Sequence, residues 1–109
     1  MRVTYSITYY NEALQTEIMS LPATLQARYI GLTARMMVNG ANLGQPHTEA
    51  FGNGLFELRL KGVEGIARVF YCTLVGRRIV MLHCFVKKSQ KTPINERRIA
   101  AKRMKEVKQ

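Results

Sequence analysis

Between Leu55 and Val86 the chain carries three apolar segments separated by two glycine-bearing turns. Leu55-Phe56-Glu57-Leu58-Arg59-Leu60-Lys61 alternates strictly. In a strand, Phe56, Leu58 and Leu60 then face one way and Glu57, Arg59 and Lys61 the other. Gly62-Val63-Glu64-Gly65 reads as a hairpin turn, Ile66 to Leu74 as the next strand, and Gly76-Arg77 as a second turn. Ile79 to Val86 is apolar on both faces, as a strand covered on both sides would be. Strands joined this closely must pair antiparallel.

The flanking sequence supplies helices. Val3, Tyr5 and Ile7 alternate with Thr4, Ser6 and Thr8, which predicts a first strand. Asn11 suits a helix N-cap, and the helix it opens runs to about Ser20 with Leu14 and Ile18 on its buried face. Pro22 suits the first turn of a second helix. That helix presents Leu25, Tyr29, Leu32 and Met36 as one stripe and closes at Asn39-Gly40. Residues 41–54 read as a loop without the spacing of a phosphate loop, and His47 reads as an exposed loop residue. Thr92 as N-cap and Pro93 as first residue open a basic C-terminal helix reaching about Val107, with Ile94, Ala101 and Met104 on one side. The expectation is one α+β domain over residues 1–109: an antiparallel sheet of about four strands, two N-terminal helices packed on it, and a C-terminal helix.

Charge narrows the partner. The net charge is +10. Residues 1–58 hold three Arg and four Glu, whereas residues 59–109 hold fourteen Lys or Arg and three Glu. A field this one-sided attracts polyanions. No apolar run approaches the ~20 residues of a membrane span, and the N-terminus lacks a signal-like apolar stretch, so a cytoplasmic protein is expected. Cys72 and Cys84 are too few for a disulfide scaffold or a four-ligand zinc site, and their parity sets them on opposite faces.

Pairing the first hairpin symmetrically about its turn places Arg59 opposite Arg68. Like charges so placed destabilise a sheet. Either an anion normally lies between them, or Glu57 or another carboxylate neutralises one. Pairing across the second turn sets Phe85 beside Arg68. One face then carries Arg59, Lys61, Arg68, His83, Phe85 and Lys87, with Lys88 and Lys91 at its rim. Cations interleaved with an aromatic suit RNA, where lysine and arginine take phosphates and a ring stacks on an unpaired base. Cleaving RNA also needs a base for the 2′-hydroxyl, charge stabilisation at phosphorus and an acid for the leaving oxygen. A lysine with its pKa lowered by neighbouring cations could move a proton. Glu57 could do so too, or could simply ion-pair with Arg59 or Arg68. His83 reads as a satisfied buried histidine and Tyr71 as core.

Three segments carry a family likeness: Leu55-Phe56-Glu57-Leu58-Arg59, then Arg68-Val69-Phe70-Tyr71, then Leu82-His83-Cys84-Phe85-Val86-Lys87-Lys88-Ser89-Gln90-Lys91-Thr92-Pro93. With the order strand, two helices, three strands and helix, they resemble the HigB/RelE-type toxins of bacterial toxin–antitoxin systems, in particular the phage-related HigB branch. The resemblance implies a RelE-like fold and a metal-independent, ribosome-dependent mRNA endoribonuclease that inhibits translation. It implies contact with 16S rRNA and capture by a cognate helix-turn-helix antitoxin, with no cofactor, metal or membrane. The family's basic sheet residues match Arg59, Arg68, Lys87, Lys88 and Lys91, and its aromatic matches Phe85. Taken with the shared face, catalytic roles are expected for Arg68, Arg59, Lys87 and Lys91, and RNA contacts for Lys61, Phe85, Lys88 and Glu57. The chain lacks the late catalytic tyrosine of the RelE branch and the histidine and acidic set of some other HigB toxins, so which group is base and which acid stays open. The competing readings are a non-catalytic basic RNA- or DNA-binding protein, such as a phage host-inhibition factor, and a small subunit of a nucleoprotein assembly.

Overall fold

The structure, a computed structural model, describes residues 4–87 and 92–109. Its elements run β1 (Ser6–Tyr9), α1 (Glu12–Met19), α2 (Ala23–Asn39), β2 (Thr48–Ala50), β3 (Leu55–Gly62), β4 (Gly65–Leu74), β5 (Arg78–Lys87) and α3 (Ile94–Val107). The strands form one sheet in the order β1-β5-β4-β3-β2. The α+β architecture is the expected one. The sheet has five strands rather than four, and it is mixed, because β1 runs parallel to β5. Alternation marks β1 as a strand but says nothing of its partner. Its direction is set from outside, where the Thr4 and Tyr5 amides donate to Met37 O at the end of α2. The extra strand, Thr48-Glu49-Ala50, is too short to show a period, and it pairs antiparallel with β3 inside the stretch read as loop.

Each face of the sheet has its own helical cover. Leu14 and Ile18 of α1 and Leu25, Tyr29, Leu32 and Met36 of α2 pack on Leu58, Leu60, Val69, Tyr71 and Met81. The predicted stripes are thus the buried ones, and burying each such aliphatic side chain contributes ~1.5–3 kcal/mol. Asn11 caps α1 as expected, its side chain accepting from the Leu14 amide at 2.8 Å. On the opposite face Leu55, Phe70, Cys72, Val80 and Leu82 pack under Ala100 of α3. A bulge steps the register from Phe70↔His83 to Tyr71↔Met81, which turns both Leu82 and His83 toward α3. Cys72 and Cys84 lie on opposite faces and are free thiols. Burial raises both, Cys84 to about 12, so neither is a ready nucleophile.

Helix α3 departs from its expected orientation. Ile94 is 69% exposed, and Ala100 is the residue sealed against the sheet. The helix is held by polar contacts as much as by apolar ones. Glu96 meets His83 Nε2 at 2.9 Å, Arg103 donates to Leu82 O at 2.8 Å, and Tyr10 donates to Glu106. Thr92 does not cap it. Its hydroxyl donates instead to Glu57 Oε2 at 2.8 Å.

The β3–β4 turn caps α2. Pro22 has no side chain able to do so, and the Thr24 amide donates to Glu64 Oε1 at 3.1 Å while the Val63 amide donates to Thr24 Oγ1 at the same distance. This docking requires glycine at position 62, because a Cβ there would collide with the Thr24 side chain and come within 3.3 Å of Leu25 Cδ2. Gly62→Ala is expected to cost ~1–3 kcal/mol through overpacking and Glu64→Ala ~1 kcal/mol through loss of the cap. Val63→Ala, at a side chain 90% exposed, should change stability by no more than ~0.5 kcal/mol. Urea denaturation of the three variants checks the order.

Candidate nucleic-acid interface

Helix α3 covers one end of its sheet face and leaves the other to charged residues. There Arg59 of β3 stands directly opposite Arg68 of β4, and Phe85 of β5 continues the row. One step along, Glu49 of β2 stands opposite Glu57 of β3. Two like-charged pairs thus lie side by side in adjacent rows, each offset against the other. Glu57 is fully buried, with Oε1 3.5 Å from Arg68 Nε and 3.7 Å from Arg59 Nε. Arg59 also grips Glu49 through Nη2 and donates to Gln45 Oε1 at 3.1 Å through Nη1. The anion between the arginines is therefore the protein's own, and their opposition does not by itself require an external ligand.

The internal carboxylates do not exhaust the positive charge. Lys61 and Lys87 lie at the same end of the face, where Lys61 pairs with Ile66 on one side and Lys87 with Ile66 on the other. Arg59, Lys61 and Arg68 line a hollow of about 350 Å³ together with His47 and Arg28. Lys87's pKa lies below the ordinary lysine value, chiefly through burial and then through Arg68, with Glu57 pulling the other way. Burial lowers Arg68 as well, against the pull of Glu57. A guanidinium stays charged through such a shift, so the hollow keeps its cations at neutral pH. Among the described residues, no group of three or more His, Cys, Asp or Glu is placed to hold a metal ion.

The candidate residues divide into three sets. Arg59, Lys61, Arg68 and Lys87 come together as expected. Glu57, Arg68 and Phe85 are all buried on that face, and Arg68, only 9% exposed, reaches the hollow from its floor. Glu57 has no exposure and acts as the floor that positions two guanidiniums. Phe85 is 9% exposed and lies in an aromatic row, its ring centroid 6.0 Å from Phe70 and 6.2 Å from His83. Little of the ring is left to stack on a base. Lys88 and Lys91 lie outside the described residues. His83 is satisfied, by Glu96. Three participants escaped the sequence reading: Glu49, Arg28 and His47. The missed strand β2 is the reason for the first. Arg28 is on a helix that packs on the far face, and only the tertiary fold brings it to the hollow. His47 is held beside β3 by its carbonyl, which accepts from the Arg59 amide at 2.8 Å. No local signal announces either.

A sheet with a buried charge lattice and a cationic hollow at its open end defines a small basic α+β protein. The chain belongs to the family of phage-derived Gp49-like proteins (DUF891), whose model matches residues 16–105 and so runs from within α1 to within α3, taking in α2 and β2 to β5. No curated protein matches it. No helix among the described residues is long and apolar enough to cross a membrane.

The buried lattice makes a stability prediction. Glu57→Ala should cost about 2–4 kcal/mol, toward the low side for a broken buried ion pair because both guanidiniums keep some water. Adding Arg68→Met should recover part of that loss, giving a coupling of ~1 kcal/mol or more in a double-mutant cycle. Denaturant midpoints decide it, and strict additivity would mean that Glu57 and Arg68 do not depend on one another.

Proposed function

We propose that the chain is the toxin of a toxin–antitoxin pair and a metal-independent endoribonuclease that cuts mRNA on the ribosome, halting translation. The Gp49-like family is associated with toxins of such pairs, which supports the first part. The observation that carries the second is the hollow in which Arg59 and Arg68 stand opposed on a buried carboxylate, with Lys87, of lowered pKa, on the same face.

In this reading Arg68 faces the scissile phosphate and stabilises the charge that develops on it. Arg59, tied to Glu49 and Gln45, holds the phosphate's orientation. Neutral Lys87 takes the 2′-hydroxyl proton as the 2′-oxygen bonds to phosphorus. The bond to the 5′-oxygen breaks, and Lys91 in its ammonium form protonates that oxygen, leaving a 2′,3′-cyclic phosphate and a 5′-hydroxyl. Lys61 and Lys88 position the strand. The excess of cations also suits contact with 16S rRNA, and an acidic or groove-filling helix-turn-helix antitoxin would neutralise it between uses. The protein would work in the cytoplasm, where ribosomes are.

One observation favours the non-catalytic reading. Arg59 is already committed to internal partners, and Glu57 and Phe85 are buried, so the described residues supply a clamp more fully than a proton relay. Single-turnover cleavage on programmed ribosomes separates the two. Arg68→Ala should lower the rate ~10²–10³-fold at saturation, as loss of a transition-state donor does, while ribosome co-sedimentation persists. With Lys87 as base the rate should rise with pH, its midpoint below the ordinary lysine value because burial and Arg68 lower the Lys87 pKa. Arg68→Gln should move that rise to higher pH, because a charge that depresses the Lys87 pKa is gone. A wild-type protein that binds ribosomes and never cuts them would leave only the binding module.

A further inference from the structure

Arg28 lines two hollows. One is the 350 Å³ hollow it shares with Arg59, Lys61 and Arg68 at the open end of the sheet. The other, of about 450 Å³, runs along the exposed side of α2 past Ala27 and Gly31 to Arg35. The two hollows therefore share Arg28 as a common wall. Arg28 and Arg35 are both exposed, seven residues and so about two turns apart on the same side of the helix. Among the described residues neither makes an ion pair or a side-chain hydrogen bond. Helix α2 contains no Asp or Glu at all. The carboxylate at its start, Glu64, is occupied by the Thr24 amide. Between the two arginines the surface is low: beyond its own helix Gly31 has no atom within 4 Å of where a Cβ would lie, and Ala27 is a methyl group.

We infer that the RNA path does not stop at the sheet face but turns around its edge at Lys61 and continues along α2, with Arg28 and Arg35 each holding a phosphate of the flanking strand. The inference rests on the RNA-binding reading of the sheet face and deepens it, since it names a second stretch of the same ligand. An extended strand repeats its phosphates every ~6–7 Å, and two turns of helix span ~10.8 Å, so Arg28 and Arg35 suit phosphates two nucleotides apart. An acidic protein partner is the alternative occupant. RNA is favoured because arginines stand at both ends of the track, one of them shared with the hollow around Arg68. The apolar floor between them is made of small or buried residues, Ala27, Gly31 and Leu32, rather than a large exposed anchor of the kind a protein interface centres on.

The test uses fluorescent 2′-O-methyl oligouridylates, which cannot be cut by 2′-attack. A trinucleotide reaches the sheet face alone, and a strand of about twelve nucleotides also reaches α2. Affinities are measured across salt for the wild type, for Arg28→Gln/Arg35→Gln, and for Arg98→Gln/Lys102→Gln on the exposed side of α3, with thermal melts confirming that all three fold. The α2 variant should bind the long strand roughly tenfold or more weakly, with a salt slope lower by about 1.4, while trinucleotide binding stays at wild-type strength. The α3 variant should match the wild type on both. If the α2 and α3 variants weaken the long strand equally, the track is overturned and the sheet face stands. If the α2 variant keeps its RNA affinity but loses a co-purifying protein partner, α2 is a protein-docking face and the track is likewise overturned. If the wild type binds neither strand, the RNA reading of the sheet face falls together with the track.

Discussion

A carboxylate without access to water lies between two guanidiniums on the floor of the open sheet face, and the arrangement of that face depends on it. Glu57 alone could not be buried there, since an isolated ionised carboxylate in the interior is far too costly. Arg59 and Arg68 alone could not stand opposite one another, because like charges across a strand pair repel. The offset of Glu49–Glu57 against Arg59–Arg68 resolves both problems, placing each arginine diagonal to a carboxylate. Thr92 donates to Glu57 Oε2 and ties the start of α3 to the same point, while Oε1 faces the two Nε atoms through charge alone, without a hydrogen bond.

This lattice makes the basic face rigid rather than merely charged. A surface arginine searches many rotamers, whereas Arg68 is buried beside Glu57, its Nε 3.5 Å from Oε1. Preorganised charge is what an anion site needs if it is to act on a transition state as well as attract a ligand. The remainder of the fold keeps this end of the sheet open. The helices α1 and α2 take the opposite face, and α3 is anchored toward the far end through Ala100, Glu96 and Arg103.

Much of this was legible in the sequence where the chain has a regular period. The alternation of residues 55–61 and the symmetric turn at 62–65 were enough to place Arg59 opposite Arg68, and the heptad-like spacing of Leu25, Tyr29, Leu32 and Met36 gave the buried side of α2 correctly. What could not be read lacks a local signature. The three residues of β2 are too few for a period, and with them went Glu49. The parallel partner of β1 is chosen by contacts with α2. Helical spacing groups Ile94 on one side with Ala101 and Met104, of which Met104 packs on the core and Ile94 does not, because α3 is oriented by Ala100 and by polar bonds to His83 and Leu82. Phe85 was placed on the right face, yet parity does not say how deeply a ring sinks between its neighbours. Thr92 had the chemistry of a cap and found a stronger acceptor in Glu57.

In the proposed function RNA is the ligand of the basic face, and cleavage is the step that separates a toxin from a clamp. The most direct measurement is induced expression of the intact protein, beside its Arg68→Ala variant, with genome-wide mapping of new mRNA 5′ ends. The account predicts that the wild type creates new ends carrying 5′-hydroxyl groups within translated regions and that the variant creates none. Translation arrest by the wild type with no new 5′ ends, or equal numbers of ends from both proteins, would contradict it.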